Sequence, residues 1–258
     1  MGRGFGIAAA VDHEIMKQVA KAAEEAGFSS FWVNDTPGND GLAGLAAAAS
    51  VTNSIQLGVG VIPLERRPAA EIASDVKRLN LPQDRLLLGI GSSSRKGGLE
   101  KIRDGAGILH EELECKVIVA ALGPNMCAMA GTAGDGVLFN WLLPDYVDRS
   151  RKLVEDAAAE AGRPAPLIAA YVRAALLPSA GDRLIQEAGR YAGIPSYAAH
   201  FERQGVPAAE TAVRGEDRAT LQAEIATYES RLDETVIRAI TATDTAEDIL
   251  ELLNATRP

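Results

Sequence analysis

Eight short apolar segments alternate with helical segments along the chain, and this alternation constrains the fold more than any other feature. Several of them are apolar nearly throughout, as expected of strands that are buried on both faces of a parallel sheet. Eight strands that alternate with helices predict a (β/α)8 TIM barrel more readily than an open α/β sheet. The predicted strands are 4–10, 29–34, 55–62, 85–91, 116–122, 136–142, 166–176 and 236–242.

The segments between these strands carry the usual start and stop signals of helices. Over 13–26, apolar residues recur on one face, and Gly27 follows as a C-cap. Pro68 and Pro144 precede two further amphipathic segments, since proline suits the first helical turn.

The interval between the seventh and eighth predicted strands is longer than the others, at about sixty residues. It contains helical patterns over 182–191, 196–204 and 216–232. We interpret 181–232 as a helical insertion over one mouth of the barrel. The sequence therefore predicts a single TIM-barrel domain over 1–258.

Composition and charge exclude several classes of protein. The 258 residues are 47% hydrophobic, enough for a large core, and the net charge of −9 argues against a nucleic-acid partner. No run of 18 apolar residues occurs, which predicts no membrane span, and the N-terminal segment favours a first strand over a signal peptide. Cys115 and Cys127 form neither a disulfide framework nor a metal-binding motif, so we expect reduced core thiols and a cytoplasmic location.

The C-terminal ends of the strands are where the active site of such a barrel is expected. The polar and glycine residues at these ends are the candidates for a functional site. They are Asp12, His13, Asn34, Asp35, Thr36, Gly60, Val61, Glu65, Arg66, Arg67, Ser92, Ser93, Ser94, Arg95, Lys96, Gly123, Pro124, Asn125, Met126, Asn140, Trp141, Arg173 and Arg238.

Two loops at these ends are candidate phosphate sites. In the first, Gly123 allows a tight turn and Pro124 starts a helix, so that the first-turn amides of Asn125 and Met126 are free for an anion. A plain strand-to-helix connection explains that loop equally well. In the second, hydroxyls such as that of Ser92 could bind phosphate oxygens or cap the next helix.

The three histidines, His13, His110 and His200, are too scattered for a nucleophilic triad or a metal site. We expect His200 to lie on the surface of the insertion in preference to covering the site. If the barrel is an enzyme, an organic cofactor should therefore supply the chemistry.

Four segments resemble the bacterial luciferase-like monooxygenase superfamily, whose members use flavin or the deazaflavin coenzyme F420. They are AEEAGFSSFWVNDT, LAGLAAAASVTNSIQLGVGVIPLERRPAAEIASDVKRLN, DRLLLGIGS and ALGPNMCAMAGTAGDGVLFNWLLP. Together they span roughly residues 20–145, and DETVIRAITATDTAEDILELL is similar to the last βα unit. The segments GVLFNWLLP and YVRAAL favour the F420 branch over the FMN enzymes.

The resemblance implies a bulge at the end of the third strand, where a non-prolyl cis peptide presses on the cofactor ring. It maps to Gly60 and Val61, and Gly58 and Gly60 would then be small because a planar ring lies nearby. A glycine-rich strand that accommodates barrel curvature is the alternative.

The resemblance also assigns the cofactor phosphate to Gly123, Asn125 and Met126, with hydroxyls added by Ser92 and Ser93. Arg66, Arg67, Arg95 and Lys96 form a basic rim, which could steer the anionic tail of F420 or could be solvated surface charges.

Asp35 stands where many members carry an Asp-His pair, but here Thr36 replaces the histidine. Threonine cannot take up a proton near pH 7, which argues against an alcohol or sugar-phosphate dehydrogenase.

We expect hydride transfer to an activated C=C or C=N bond, with Asp35, Asn140 and Arg173 polarising the substrate or relaying a proton. The alternatives are an FMN-dependent monooxygenase and a non-catalytic flavin or ligand binder. The resemblance also implies a homodimer.

Overall fold

The computed structural model describes residues 1–94 and 96–258, and it contains a closed barrel of eight parallel strands surrounded by helices. The prediction of eight barrel strands is confirmed. The strands are β1 (Gly2–Ile7), β2 (Ser30–Val33), β3 (Gln56–Pro63), β4 (Leu86–Gly91), β5 (Lys116–Ala121), β6 (Gly136–Asn140), β7 (Leu167–Leu176), β8 (Val213–Gly215) and β9 (Glu234–Ile240).

The ring closes through β6–β7, β7–β9 and β9–β1 pairs, all parallel. The short strand β8 pairs with β7 outside the ring, with Ala174 opposite Val213. Its sequence is VRG, which is too short and too polar to give a period-two signal. This strand was therefore not predicted.

Ten α-helices occur in the part of the chain that the structure describes, together with short 3₁₀ helices at Gln83–Arg85 and Ala208–Thr211. The α-helices are α1 (His13–Glu25), α2 (Gly41–Ala49), α3 (Ala69–Arg78), α4 (Gly98–Glu112), α5 (Pro124–Ala133), α6 (Pro144–Glu160), α7 (Gly181–Ala192), α8 (Pro195–Gln204), α9 (Arg218–Glu229) and α10 (Ala246–Thr256). None of those described is both long and apolar enough to cross a membrane.

Two apolar layers hold the barrel together. The larger one packs the outward faces of the strands against the helices. The smaller one is built from inward-facing strand residues and fills the barrel interior, with Trp32 and Tyr171 packed edge to face at a centroid separation of 5.8 Å. A filled interior leaves the C-terminal mouth as the place for a ligand.

The insertion between β7 and β9 is narrower than predicted. Helix α9 packs against β7, β9 and α10, as an ordinary outer helix of the barrel does. The elements added to the barrel are therefore α7, α8, the 3₁₀ turn and β8, whereas the predicted range of 181–232 also includes α9, because periodicity does not show which helix belongs to the outer ring.

The insertion is fastened to the barrel mouth by buried polar contacts. His200 is 3% exposed, and its ring nitrogens lie 3.0 Å from the Leu122 carbonyl and 2.9 Å from the Trp141 carbonyl. Gln204 also donates to the Trp141 carbonyl, at 2.9 Å. The expectation that His200 lies on the surface was wrong, because its helix packs on the ends of β5 and β6. Burial lowers the pKa of His200, which favours the neutral ring.

Candidate functional site at the barrel mouth

A cavity of about 530 Å³ lies at the C-terminal ends of β1, β2 and β9, and α7 forms its other wall. The barrel contributes Asn34 and Arg238, and α7 contributes Arg183, Glu187 and Arg190. The volume lies in the range of small-molecule sites, and the position follows the general rule for such barrels.

The bulge predicted in β3 is present beside this cavity. The pairing of β3 with β4 changes register between Val59 and Ile62, and the Gly60–Val61 peptide bond is cis. The Gly60 carbonyl accepts a hydrogen bond from Asn34 Nδ2 at 2.8 Å, and Asn34 Oδ1 accepts one from Arg238 Nε at 2.6 Å. Asn34 and Arg238 therefore fix the bulge, a role that their position at strand ends did not predict.

The two glycines of β3 are also required by the packing of the barrel interior. A Cβ atom on Gly58 would lie closer than 3.0 Å to the Trp32 indole, and one on Gly60 equally close to Tyr171 and Leu138. These side chains belong to the barrel interior. The packing of the barrel interior thus requires glycine at both positions, and the cofactor contact predicted for Gly60 and Val61 stays a prediction.

Asp35 follows β2 but lies outside the cavity wall. One of its oxygens accepts a hydrogen bond from the Gly41 amide at 2.9 Å, and the other pairs with Arg66. Arg67 lies 3.7 Å from the same carboxylate. The structure thus places Asp35 in an ion-pair network at the start of α2, and its catalytic role stays a prediction.

Two members of the predicted basic rim, Arg66 and Arg67, pair with carboxylates of the same chain. Besides its contact with Asp35, Arg67 pairs with Asp40 at 3.2 Å and with Asp75 at 3.5 Å. Arg95 lies outside the described residues. Arg66 and Arg67 are therefore held in ion pairs within the fold, and steering of an anionic cofactor tail stays a prediction.

Asn140 and Arg173 do come together, at the ends of β6 and β7. Arg173 is 1% exposed, donates from Nε to Glu187 Oε1 at 3.0 Å and also donates to Asn140 Oδ1. Asn140 Nδ2 in turn donates to the Tyr197 hydroxyl at 2.8 Å. Both residues therefore join the barrel to the insertion, and their predicted catalytic roles stay predictions.

Aromatic rings complete the surroundings of Arg173. Its guanidinium carbon lies 3.9 Å from the Trp141 ring centroid and 4.9 Å from that of Tyr191, which is cation–π geometry. Burial raises the pKa of Glu187, but the charges of Arg238 and Arg173 outweigh burial and hold the pKa below its ordinary value. Glu187 thus remains an anion at the cavity wall.

The hydroxyls after β4 already hold an anion, the carboxylate of Glu65. Ser92 Oγ donates to Glu65 Oε1 at 2.6 Å, the Ser93 amide to Oε2 at 3.2 Å, and Ser94 Oγ to Oε1 at 2.9 Å. Lys101 Nζ adds a contact of 3.1 Å. The predicted phosphate contacts of Ser92 and Ser93 would therefore require Glu65 to move.

The loop before α5 keeps the features of an anion site. Gly123 is the N-cap and has no side-chain cap hydrogen bond, and Pro124 occupies the first turn. Arg203 of α8 donates to the adjacent Leu122 carbonyl at 3.0 Å, which brings a cation beside Gly123. The Met126 amide, however, already donates to the Gly123 carbonyl at 3.0 Å. Arg203 was missed because the sequence does not show which residue of α8 faces this loop.

The fold is therefore a TIM barrel with a bulged third strand and a helical cover over its mouth. The family model described as luciferase-like monooxygenase matches residues 6–112 and 101–257. The chain belongs to that family, which confirms the resemblance seen in its sequence.

Individual relatives refine this assignment. The chain is 30% identical over 197 residues to a 5,10-methylenetetrahydromethanopterin reductase from Methanolobus tindarius. The aligned residues cover 62% of this chain and 60% of that reductase. The alignment thus spans less than two thirds of the relative's length.

Two solved structures are similar over nearly the whole chain. The coenzyme F420 dependent tetrahydromethanopterin reductase from Methanopyrus kandleri has a TM-score of 0.75 at 17% identity, covering 99% of this chain and 97% of that one. The oxygenating constituent of 3,6-diketocamphane monooxygenase from Pseudomonas putida, in complex with FMN, has a TM-score of 0.74 at 14% identity, covering 100% and 97%. At these identities the likeness shows the shared fold.

Proposed function

We propose that the protein is an F420-dependent oxidoreductase that transfers hydride between the deazaflavin ring and a small organic substrate with an activated C=C or C=N bond. The 30% identity to a methylenetetrahydromethanopterin reductase supports the F420 branch of the family. The observation that carries the proposal is the bulge at Gly60–Val61, fixed by Asn34 beside a cavity of about 530 Å³.

The donor groups around the mouth suit a cofactor with a flat ring and an anionic tail. Val61 would contact the ring, and the N-terminal turn of α5 together with Arg203 would hold the phosphate. Strands β3 and β5 are separated only by β4, so the two contacts lie along one arc of the mouth. When bound, the cofactor would supply the hydride donor or acceptor that the side chains lack.

The chain's own residues would position the substrate and exclude water. Helix α7 forms one wall of the cavity, and Arg173 and Glu187 hold this helix over the mouth. Thr36 lines the cavity where an acid/base residue would be needed for alcohol oxidation. Because threonine stays neutral near pH 7, the proposal favours reduction of a C=C or C=N bond over alcohol oxidation.

A side-by-side titration with F420 and FMN tests the proposal, followed by mixing the protein with reduced F420 and an enone. We expect F420 to bind more tightly than FMN and the enone to be reduced. Oxygen uptake with reduced FMN would instead support the monooxygenase alternative. Binding without turnover of any acceptor would support a non-catalytic binder.

A pair of asparagine variants tests the position of the ring. Asn34→Ala removes the hydrogen bond to the Gly60 carbonyl, so we expect F420 affinity to fall about tenfold. Asn39→Ala makes the same change elsewhere on the cavity wall and should leave the affinity within about twofold. Equal affinities for both variants would argue against ring binding at the bulge.

The homodimer and the cytoplasmic location stay predictions. Sedimentation of the purified protein checks the first, and fractionation of the source cells checks the second.

A further inference from the structure

Arg238 is a buried cation without a directly paired carboxylate among the described residues, although the charge of Glu187 acts on it at longer range. It is 7% exposed, donates from Nε to Asn34 Oδ1 at 2.6 Å, and donates from Nη1 to the Ala239 carbonyl. Both acceptors are neutral groups. Within residues 1–94 and 96–258, Arg238 forms no ion pair, and its Nη2 group has no hydrogen-bond partner.

The carboxylates of the cavity wall are already paired with other arginines. Asp244 pairs with Arg183 at 2.9 Å, and Glu187 pairs with Arg173 at 3.0 Å and with Arg190 at 3.7 Å. Neither carboxylate of the described wall pairs directly with Arg238, so its remaining N–H groups can take a ligand.

The charge balance of the cavity points the same way. Its wall carries three arginines and two carboxylates, an excess of one positive charge in a protein with a net charge of −9. A buried guanidinium without an anion is costly, and its remaining N–H groups match the two oxygens of a carboxylate. The excess charge is therefore the signature of an anionic ligand.

The apolar residues of the wall indicate what carbon skeleton the ligand has. Ile7, Val11 and Ile240 line the cavity and offer apolar contact. Asn34 connects Arg238 directly to the Gly60 carbonyl, so a carboxylate on Arg238 would lie beside the bulge.

We propose that the substrate of this cavity is a small carboxylic acid with an apolar skeleton, bound through its carboxylate to Arg238. This inference rests on the proposed function, since it names the substrate class for the same mouth. It does not require the cofactor to be present for binding.

A matched pair of ligands tests the inference directly. Calorimetric titration of the purified protein with trans-cinnamate and with trans-cinnamamide compares a carboxylate with a neutral group on one skeleton. We expect cinnamate to bind about tenfold more tightly than cinnamamide. Arg238→Met should abolish this preference, while the paired change Arg183→Met with Asp244→Asn should preserve it, because it removes one charge of each sign from the wall.

The outcomes separate this inference from the proposed function. Equal binding of the two ligands by the unmodified protein, or an unchanged preference in Arg238→Met, would overturn the carboxylate site. If Arg238→Met does not fold, Arg238→Lys keeps the charge and should retain part of the preference. Arg238-dependent cinnamate binding without F420 binding would leave the site standing and refute the proposed function. A loss of F420 affinity in Arg238→Met with an unchanged cinnamate preference would assign Arg238 to the cofactor instead.

Discussion

A side chain at position 58 or 60 would point into the filled interior of the barrel. The Trp32 indole packs against Gly58, and the Tyr171 ring packs against Gly60. Both rings are fully or almost fully buried, so neither can move aside without disturbing the other. The packing of the barrel interior therefore requires glycine at both positions. This requirement holds whether or not a ligand binds nearby.

Substitution of Gly58 tests this packing. Gly58→Ala forces a Cβ atom into the Trp32 ring, and we expect the free energy of unfolding to fall by about 1–3 kcal/mol in urea titrations. Gly107→Ala is the matched control, because it lies in α4 with nothing within 4 Å of the added Cβ. It should be neutral or stabilising by up to about 1 kcal/mol. Equal effects of the two changes would contradict the packing explanation.

At the scale of elements, the loops after β3 and β4 are joined through one carboxylate. Burial raises the pKa of Glu65, but hydrogen bonds from Ser92, Ser93 and Ser94 outweigh it and lower the pKa from 4.5 to about 2. Because the folded-state pKa is depressed, the ionised carboxylate stabilises the fold above the unfolded-state pKa. This stabilisation is lost as the pH falls from about 4.5 towards about 2.

The pH dependence of a Glu65 variant follows from this shift. Glu65→Gln should lower the free energy of unfolding at pH 7, and the difference from the unmodified protein should shrink as the pH falls below 4.5. Urea unfolding at pH 7, 5, 4 and 3 measures the difference. Glu251→Gln, at an exposed position of α10, should show little difference at any pH. A difference for Glu65→Gln that stayed constant down to pH 3 would refute the account of this loop.

The insertion shows what an element-level pattern can and cannot predict. Its helices α7 and α8 were expected from their periodicity, and both form. Their direction of approach depends on contacts that are distant in sequence, such as Arg173 with Glu187 and His200 with the Trp141 carbonyl. Trp141 itself has a φ of 53°, which bulky residues rarely adopt. No pattern of residue types predicts this backbone conformation.

At the scale of the whole molecule, the sequence predicted the barrel because each βα unit repeats the same local signals. The bulge at Gly60–Val61 followed from family resemblance, not from periodicity. The polar partners of the site were harder to foresee. Whether Arg66 faces a ligand or Asp35 is decided by three-dimensional proximity, and the same holds for Ser92 and Glu65. Residue type and strand position therefore predicted where the barrel mouth lies. They did not predict which side chains pair with one another there.

The most direct test of the account is a crystal structure of the protein soaked with F420. We expect the deazaflavin ring to lie against the Gly60–Val61 peptide and the phosphate to lie at the N-terminal turn of α5, beside Arg203. A ring bound away from the bulge, or a barrel mouth without cofactor at saturating F420, would contradict it.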